Sequence, residues 1–318
     1  MKRLLALVVA LAAALLLQGH EAQAKKFLVC TTQIVEHPAL DAVREGFKDE
    51  LKEKGLDVDY KVYTAQGSMD MAIQIANQIR GDNPDLILAI ATPTAQAVAQ
   101  KIKDIPILIS AVTDPVSAGL VKSMDKPGAN ISGMTDKSPV DRQIGLIKDI
   151  LPKIKTLGVL YNAGEANSVV SFNQIKDECA KQGIAVEPRT VSTSAEAYTA
   201  AKSLVGQVDA ITIPTDNTVI SALESVVKVC EENKIPLFAA DTDSVQRGVL
   251  AAIAVDYYRM GRQTGDMAYR ILTQGAKPAD MPVESLKNLM LYVNLSMAKK
   301  YGVTVPESLI KRADKVLK

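Results

Sequence analysis

Four acidic side chains in the second half of the chain each follow an apolar segment with the character of a strand: Glu165, Asp216, Asp241 and Asp243. Because the carboxyl ends of parallel strands meet at one edge of a sheet, we expect these carboxylates on a common rim. Carboxylates grouped in this way bind a cation such as an ammonium group. Each of them could instead cap a helix, since Asp is a preferred residue at a helix N-terminus. Four acids on one rim favour binding, and Asn217 belongs to the same predicted site.

A helix start in the first half of the chain offers the opposite chemistry. Residues 92–96, Thr-Pro-Thr-Ala-Gln, directly follow a predicted strand. The first turn of a helix presents unsatisfied N–H groups and a partial positive charge, which together hold carboxylates. We expect Thr94 to be the N-cap, with the N–H groups of Ala95 and Gln96 facing a cleft. Ordinary capping without a ligand is the alternative, and Thr92 is a further candidate for contact.

The matching helix start in the second half carries Asn167 and Ser168. Both side chains could reach the same anion as the first helix start. An ammonium group held among carboxylates and a carboxylate held by helix N–H groups together predict an α-amino acid as the ligand.

The residues available for catalysis and metal binding are few. The sequence contains no Gly-x-Ser-x-Gly, phosphate-loop, dinucleotide or His-Glu-x-x-His motif, and His37 is the only histidine beyond residue 24. His37 precedes Pro38 at a predicted helix start, so binding or capping is favoured over catalysis; a hydrolase that uses His37 is the alternative. Cys30, Cys179 and Cys230 lack metal-ligand spacing and lie in apolar patterns, which predicts buried thiols. We expect no catalytic residue, no metal site and no cofactor.

Charge and the first 24 residues restrict the partner and the location. The 37 basic and 36 acidic residues nearly cancel without blocks of like charge, which makes nucleic acid and acidic membrane surfaces poor partners. Residues 1–24 predict an export signal, because Lys2 and Arg3 precede an apolar run and Ala-Gln-Ala at 22–24 is a signal-peptidase site. The 14 apolar residues are too few to span a bilayer. With no cysteine nearby to accept a lipid, we expect a free periplasmic protein cleaved after Ala24.

The remaining chain alternates short apolar strands with amphipathic helices, the pattern of a doubly wound α/β architecture. Near-continuous apolar runs suit strands that are covered on both faces. They lie at residues 27–30, 85–90, 107–109, 157–161, 210–213 and 236–239. The segment at 105–119 is matched by 235–248, each a strand followed by a Thr-Asp turn. The sequence therefore predicts two similar lobes, each a doubly wound parallel sheet.

Three chain crossings would join these lobes into a hinge. We expect them near residues 133–135, 255–256 and 286–287, in segments without a strong helix pattern. The first lobe then comprises residues 25–132 and 257–285, and the second comprises residues 136–254 and 288–318. A ligand would bind in the cleft between the carboxyl ends of the two sheets, and rotation about the crossings would close the lobes around it.

A set of motifs resembles the tryptophan/tyrosine-type substrate-binding proteins of ABC transporters. The motifs are QIVEHPALD at residues 33–41, ATPTAQ at 91–96, SAVTDP at 110–115, GVLYN at 158–162, EANS at 165–168, VDA at 208–210, PTDNT at 214–218 and ADTDSV at 240–245. The resemblance covers essentially the whole chain after residue 24. It implies the type I periplasmic-binding fold, a receptor that delivers its ligand to a permease with its ATPase, and an aromatic amino acid as the ligand.

Candidates for the wall of the side-chain pocket come from the first lobe, since the chain contains no Trp and its Tyr and Phe residues lie mostly in helix and strand patterns. These candidates are Gln33, Ile34 and His37. The full predicted ligand-binding set is Gln33, Ile34, His37, Thr92, Thr94, Ala95, Gln96, Glu165, Asn167, Ser168, Asp216, Asn217 and Asp241.

Other ligands and roles stay open at this level. A branched-chain amino acid or a nucleoside would suit the same receptor role, although nucleoside binding predicts aromatic platforms that the sequence does not show. The ligand-sensing domain of a transcriptional repressor shares the two-lobed fold but needs an amino-terminal DNA-binding helix pair. The export signal occupies that place here. We expect a monomer.

Overall fold

The computed structural model describes residues 26–318, so the predicted export signal and its cleavage site lie outside the described residues. The strands are β1 (Phe27–Gln33), β2 (Val58–Thr64), β3 (Leu86–Ile90), β4 (Ile107–Ser110), β5 (Ile131–Thr135), β6 (Thr156–Asn162), β7 (Ala185–Val191), β8 (Ala210–Ile213), β9 (Leu237–Ala239), β10 (Ala251–Ala254), β11 (Glu284–Ser285), β12 (Met290–Asn294) and β13 (Lys315–Leu317). The α-helices are α1 (Pro38–Glu53), α2 (Met69–Asp82), α3 (Thr92–Lys101), α4 (Val140–Ile150), α5 (Ala166–Lys181), α6 (Ala197–Ser203), α7 (Asn217–Ser221), α8 (Leu223–Asn233), α9 (Tyr257–Gln274), α10 (Leu295–Tyr301) and α11 (Glu307–Arg312). None of these helices is long and apolar enough to cross a membrane.

The strands form two sheets, one in each lobe. The first sheet has the order β11-β5-β4-β3-β1-β2, and every neighbouring pair in it is parallel. The second has the order β13-β12-β10-β9-β8-β6-β7, in which the described strands are parallel except for the pair β10 and β12. Two parallel sheets connected by helices confirm the predicted α/β architecture of two lobes.

Each sheet has a hydrophobic core of its own, which accounts for the apolar runs in the sequence. Every residue of β3 and β4 is buried, and every residue of β8 in the second lobe is buried as well. Because helices cover both faces of these strands, neither face alternates with polar residues. Polar side chains are therefore concentrated at the strand ends, where the lobes meet.

The chain passes between the lobes three times. The first passage joins β5 to α4, the second joins β10 to α9, and the third joins β11 to β12. The first begins later than predicted, because Gly133 pairs with Ile109 of β4 and Thr135 pairs with Ser285 of β11. Residues 133–135 thus belong to the first sheet, and the passage comprises residues 136–139. The residue limits of the lobes stay a prediction.

Helices α1 and α9 pack closely, with glycines at the contact. A Cβ atom on Gly261 of α9 would lie 2.1 Å from the carbonyl oxygen of Val43 in α1, and one on Gly46 would lie 2.2 Å from a carbonyl oxygen of α9. Only glycine lets two backbones approach this closely. Helix α1 begins directly after His37 and α9 begins at Tyr257, where the lobes meet. The packing of the two helices therefore fixes the position of both side chains.

Gly261→Ala should lower the free energy of unfolding by about 1–3 kcal/mol, the usual cost of overpacking, because the methyl group would overlap the α1 backbone. Gly145→Ala is the matched control. Gly145 lies within α4, where an added Cβ has no neighbour within 4 Å, so Ala should slightly stabilise that helix. Urea denaturation followed by circular dichroism measures both variants. Equal stability of the two would contradict the close packing of α1 and α9.

Candidate functional site

A narrow cavity lies between the lobes and is called the inner cavity here. Its volume is about 20 Å³, which is room for one or two water molecules. The lining consists of His37, Ala39, Leu40, Ala111 and Tyr257 of the first lobe, Asp136 of the first passage, and Asn167, Pro214, Thr215, Asp216, Asn217, Ile220, Ala240 and Asp241 of the second lobe.

A wider cavity between the starts of α3 and α5 is called the outer cavity. Its volume is about 320 Å³. It is lined by Ile34, Gly67, Met69, Pro93 and Gln96 of the first lobe and by Asn162, Gly164, Glu165, Ser192 and Thr218 of the second. An adjoining region of about 250 Å³ shares Ile34 and Thr218 with the outer cavity and Asn217 with the inner one. The cavities therefore lie side by side along one cleft.

Three residues of the inner cavity carry buried polar atoms without a hydrogen-bond partner among residues 26–318. These atoms are both ring nitrogens of His37, Oδ1 of Asp136 and Oδ1 of Asn167. Burial lowers the pKa of His37, and the opposing charge of Asp241 does not cancel the effect. The ring is therefore neutral, and one of its nitrogens is an acceptor. Because buried polar groups are nearly always paired, these atoms are candidates for contact with a ligand or with water.

Asp136 was not in the predicted set, and it lies at the start of the first passage. Its Oδ2 accepts a hydrogen bond from the Tyr257 hydroxyl at 2.8 Å. Burial raises the pKa of Asp136, while the hydrogen bond from Tyr257 opposes the shift. A cation at the free Oδ1 would favour the ionised form. The sequence does contain a signal for this residue, since Asp136 directly follows the strand β5, as the predicted acids follow theirs.

Both carboxylate oxygens of Glu165 accept hydrogen bonds from residues of its own lobe. Its Oε1 accepts from the N–H and the hydroxyl of Thr218, at 3.0 and 2.7 Å. Its Oε2 accepts from the Asn167 amide at 3.0 Å and from both the backbone and the side-chain N–H of Asn217. The carboxylate thus binds the start of α7, where N–H groups lack partners within the helix. Five hydrogen bonds leave no free oxygen for the predicted contact with an ammonium group.

Asp216 and Asp241 line the inner cavity, but their oxygens are engaged in capping. Asp216 accepts from the N–H groups of Val219 and Asn162 at 2.7 and 2.5 Å. Asp241 accepts from the N–H and the hydroxyl of Ser244 at 2.8 and 2.7 Å. The capping alternative therefore accounts for the hydrogen bonds of both acids.

Helix α3 begins earlier than predicted. Its N-cap is Ala91, with φ 76° and ψ 155°, where Thr94 was expected. The Thr94 hydroxyl instead donates to the carbonyl of Ile90 at 2.5 Å, and the Ala95 N–H donates to the Ala91 carbonyl at 3.1 Å. The N–H groups without an acceptor in the helix are therefore those of Thr92 and Thr94 rather than that of Ala95. The buried hydroxyl of Thr92 has no partner among the described residues.

Asn167 and Ser168 use their donors within the second lobe. The Asn167 amide nitrogen donates to Glu165, to the Ser168 hydroxyl oxygen at 3.3 Å and to the Thr215 carbonyl at 2.9 Å. The Ser168 hydroxyl donates to the same carbonyl at 3.2 Å. Neither side chain has a donor left for an anion, contrary to expectation. Asn167 presents an acceptor instead, so this end of the cleft suits a cation.

The remaining predicted residues divide between the cleft and the interior of the first lobe. Ile34 and Gln96 line the outer cavity, and the Gln96 amide donates to a backbone carbonyl at 3.1 Å. Gln33 lines neither cavity, because its amide contacts Asp41 and Arg44 within its own lobe. Asn217 lines the inner cavity with its amide on Glu165.

The sequence that forms these two lobes matches the model of a known protein family. Residues 28–317 match the model for ABC transporter substrate binding proteins. The chain belongs to this family. This substrate-binding protein is 41% identical over 269 residues to a tyrosine-binding protein of Clostridioides difficile. The matched region covers 83% of this chain and 77% of the relative. The resemblance drawn from the sequence motifs is confirmed.

Two solved structures bear on the arrangement of the lobes. An ABC domain from Streptococcus pneumoniae in complex with L-Trp is 34% identical, with a TM-score of 0.88 and coverage of 92% of this chain and 100% of that one. The ligand-free, open structure of a substrate-binding protein with adhesive properties from Clostridium difficile is 41% identical, with a TM-score of 0.68 and coverage of 92% and 99%. The ligand-free, open structure superposes less well on this chain than the tryptophan complex does, although its sequence is more identical. The lobes here resemble those of the tryptophan complex.

Asp216 should make the stability of this substrate-binding protein depend on pH. Burial and the charge of Glu165 raise the pKa of Asp216 to about 7, compared with about 4 in an unfolded chain. The folded state therefore binds the proton more tightly, and the contribution of Asp216 to stability should fall as the pH rises from about 4 to about 7. Asp216→Asn removes this titration. Its stability relative to wild type should then rise across the same range.

Urea denaturation at intervals across that pH range measures the difference. Asp141→Asn is the control, because Asp141 lies on α4 with its side chain 69% exposed. A difference between wild type and Asp216→Asn that does not change with pH would contradict the raised pKa.

Proposed function

We propose that this protein is the periplasmic receptor of an ABC importer, and that it binds Tyr or Trp between its lobes and delivers it to the permease. The observation that carries the proposal is the free Oδ1 of Asp136 in the inner cavity. A buried carboxylate oxygen without a partner is costly and calls for a cationic donor. The α-ammonium group is the cation that all free amino acids share.

Two neutral acceptors complete the proposed ammonium site. Asn167 Oδ1 and a ring nitrogen of His37 line the same cavity as Asp136. An ammonium group carries three N–H donors, which match three acceptors. The inner cavity has room for one or two water molecules, which suits an ammonium group rather than a whole amino acid. The rest of the ligand therefore extends towards the outer cavity.

The start of α3 is the proposed site for the ligand carboxylate. The N–H groups of Thr92 and Thr94 lack acceptors in the helix, and the Thr92 hydroxyl is unpartnered among the described residues. The positive end of the helix dipole adds to their attraction for an anion. Pro93 of the same turn lines the outer cavity, which places this helix start at the cleft.

The outer cavity is the proposed site for the ligand side chain. Its volume of about 320 Å³ accommodates an aromatic ring, and Ile34, Met69 and Pro93 supply apolar contacts. The name of the tyrosine-binding relative and the L-Trp in the pneumococcal complex support an aromatic amino acid as the ligand.

The family and the predicted export signal support the remaining parts of the proposal. We place the mature protein in the periplasm, cleaved after Ala24, without a lipid anchor and as a monomer that contacts a permease with its ATPase. A role other than catalysis is supported by the match to the substrate-binding family. Burial also raises the pKa of Cys30 to about 12 and that of Cys179 to about 11, so neither is a reactive thiolate.

An aromatic amino acid present at about a hundred times its Kd should stabilise the protein by about 2.7 kcal/mol. Thermal unfolding of refolded, ligand-stripped protein against the common amino acids, nucleosides and sugars measures this effect. We expect a selective shift with Tyr, Trp or Phe. A shift with nucleosides alone or with branched-chain amino acids alone would contradict the aromatic ligand, and no shift with any amino acid would contradict the amino-acid receptor.

Asp136→Asn should weaken the binding of that amino acid by about 1.5–3 kcal/mol, or roughly ten- to 150-fold, the scale of a hydrogen bond to a charged group. The variant keeps the shape of the side chain and an oxygen for the Tyr257 hydroxyl, but it removes the negative charge opposite the ammonium group. Isothermal titration calorimetry gives the Kd. The exposed Asp141→Asn should bind as wild type does. Unchanged affinity in Asp136→Asn would remove Asp136 from the ammonium site.

A further inference from the structure

We infer that Glu165 is a positioning residue, which orients the Asn167 amide so that its oxygen faces the ligand. The inference rests on the proposed function, in which Asn167 Oδ1 accepts a hydrogen bond from an ammonium group. It assigns Glu165 a role different from the direct ion pair that its charge and place in the sequence predict.

The donors around Glu165 all come from the second lobe. They are the N–H groups and hydroxyl at the start of α7, from Asn217 and Thr218, and the amide of Asn167. This arrangement involves no residue of the first lobe, so it does not depend on closure of the cleft. Glu165 is therefore a fixed acceptor in its lobe, and the Asn167 amide nitrogen lies 3.0 Å from it.

The orientation of the Asn167 amide follows from its neighbours. The two amide hydrogens face three acceptors, Glu165 Oε2, the Ser168 oxygen and the Thr215 carbonyl. A flipped amide would place its oxygen against a carboxylate and a carbonyl, where no hydrogen bond can form. It would also point its NH₂ group into the inner cavity, towards the proposed ammonium group. Glu165 and the Thr215 carbonyl together therefore favour the orientation in which Asn167, 3% exposed, presents to the cavity an Oδ1 without a partner among the described residues.

Two substitutions of Glu165 separate positioning from a direct charge contact. Glu165→Gln keeps the length of the side chain and an oxygen that can accept from Asn167, but it removes the charge. Glu165→Asp keeps the charge but withdraws the carboxylate by one methylene group from the Asn167 amide. Positioning predicts that the Gln variant binds L-Tyr or L-Trp within about threefold of wild type, and that the Asp variant binds about tenfold more weakly, the scale of one hydrogen bond. A direct ion pair predicts the opposite order.

Asn167→Ala completes the experiment as a double-mutant cycle. If Glu165 acts through Asn167, the Glu165→Asp substitution should have no further effect in the Asn167→Ala background, although Asn167→Ala alone weakens binding about tenfold. Isothermal titration calorimetry with L-Tyr and L-Trp measures each Kd, and urea denaturation verifies that each variant is folded. If the Asp variant does not fold, the Gln variant still tests for a direct charge contact, and Glu165→Ala takes the place of Glu165→Asp in the double-mutant cycle with Asn167→Ala.

Three results would overturn the inference. Weaker binding by the Gln variant than by the Asp variant would show a direct charge contact with the ligand. Additive effects in the double mutant would show that Glu165 does not act through Asn167. Wild-type affinity in both Glu165 variants would show that Glu165 has no role in binding. If wild-type protein binds neither amino acid, the proposed function fails and this inference fails with it.

Discussion

Burial of carboxylates where the lobes meet is the constraint on which the rest of the cleft depends. A buried carboxylate must be hydrogen-bonded, and the N–H groups at a helix start need acceptors of their own. In the second lobe these two needs satisfy each other. Asp216 and Asp241 accept from backbone N–H groups of the turns that follow them, and Glu165 accepts from those at the start of α7. The carboxylates of these three residues are therefore stabilised by hydrogen bonds within the second lobe. Asp136 is held differently, by a hydrogen bond from the Tyr257 hydroxyl, and its Oδ1 has no hydrogen-bond partner among residues 26–318.

The lobes and their strands follow from the sequence because a parallel sheet that is covered on both faces leaves a clear signal. The run of β3 is apolar throughout and that of β4 is apolar up to its last residue, Ser110, and the structure buries every residue of both strands. The first passage is less visible in the sequence, since β5 is short and ends in Met-Thr, and only its pairing with β4 and β11 shows that residues 133–135 belong to the sheet. A local sequence pattern does not show which distant strand a segment pairs with.

The positions of the site residues were easier to predict than their chemistry. The acids at the strand ends do lie at the cleft, as Asp216 and Asp241 show, but an Asp at such a place has the same sequence signature whether it caps a helix or binds a ligand. Asn167 shows the same limit, because the side on which an amide presents its oxygen depends on contacts across the fold. The N-cap of helix α3 is Ala91, which has a positive φ that Ala rarely adopts. Residue preferences for helix N-caps would not predict a cap at Ala91.

In the proposed function, the unpartnered acceptors would link ligand binding to closure of the lobes. Each buried polar group without a partner costs about 1–3 kcal/mol. The unpartnered atoms of His37, Asp136 and Asn167 would therefore disfavour closed lobes until a ligand binds. A ligand shifts an equilibrium between open and closed lobes only by its difference in affinity for the two. In the proposed function, an ammonium group would supply this difference, because its three donors would meet His37, Asp136 and Asn167 together only with the lobes closed. Recognition of the amino acid and closure around it would then be the same interaction.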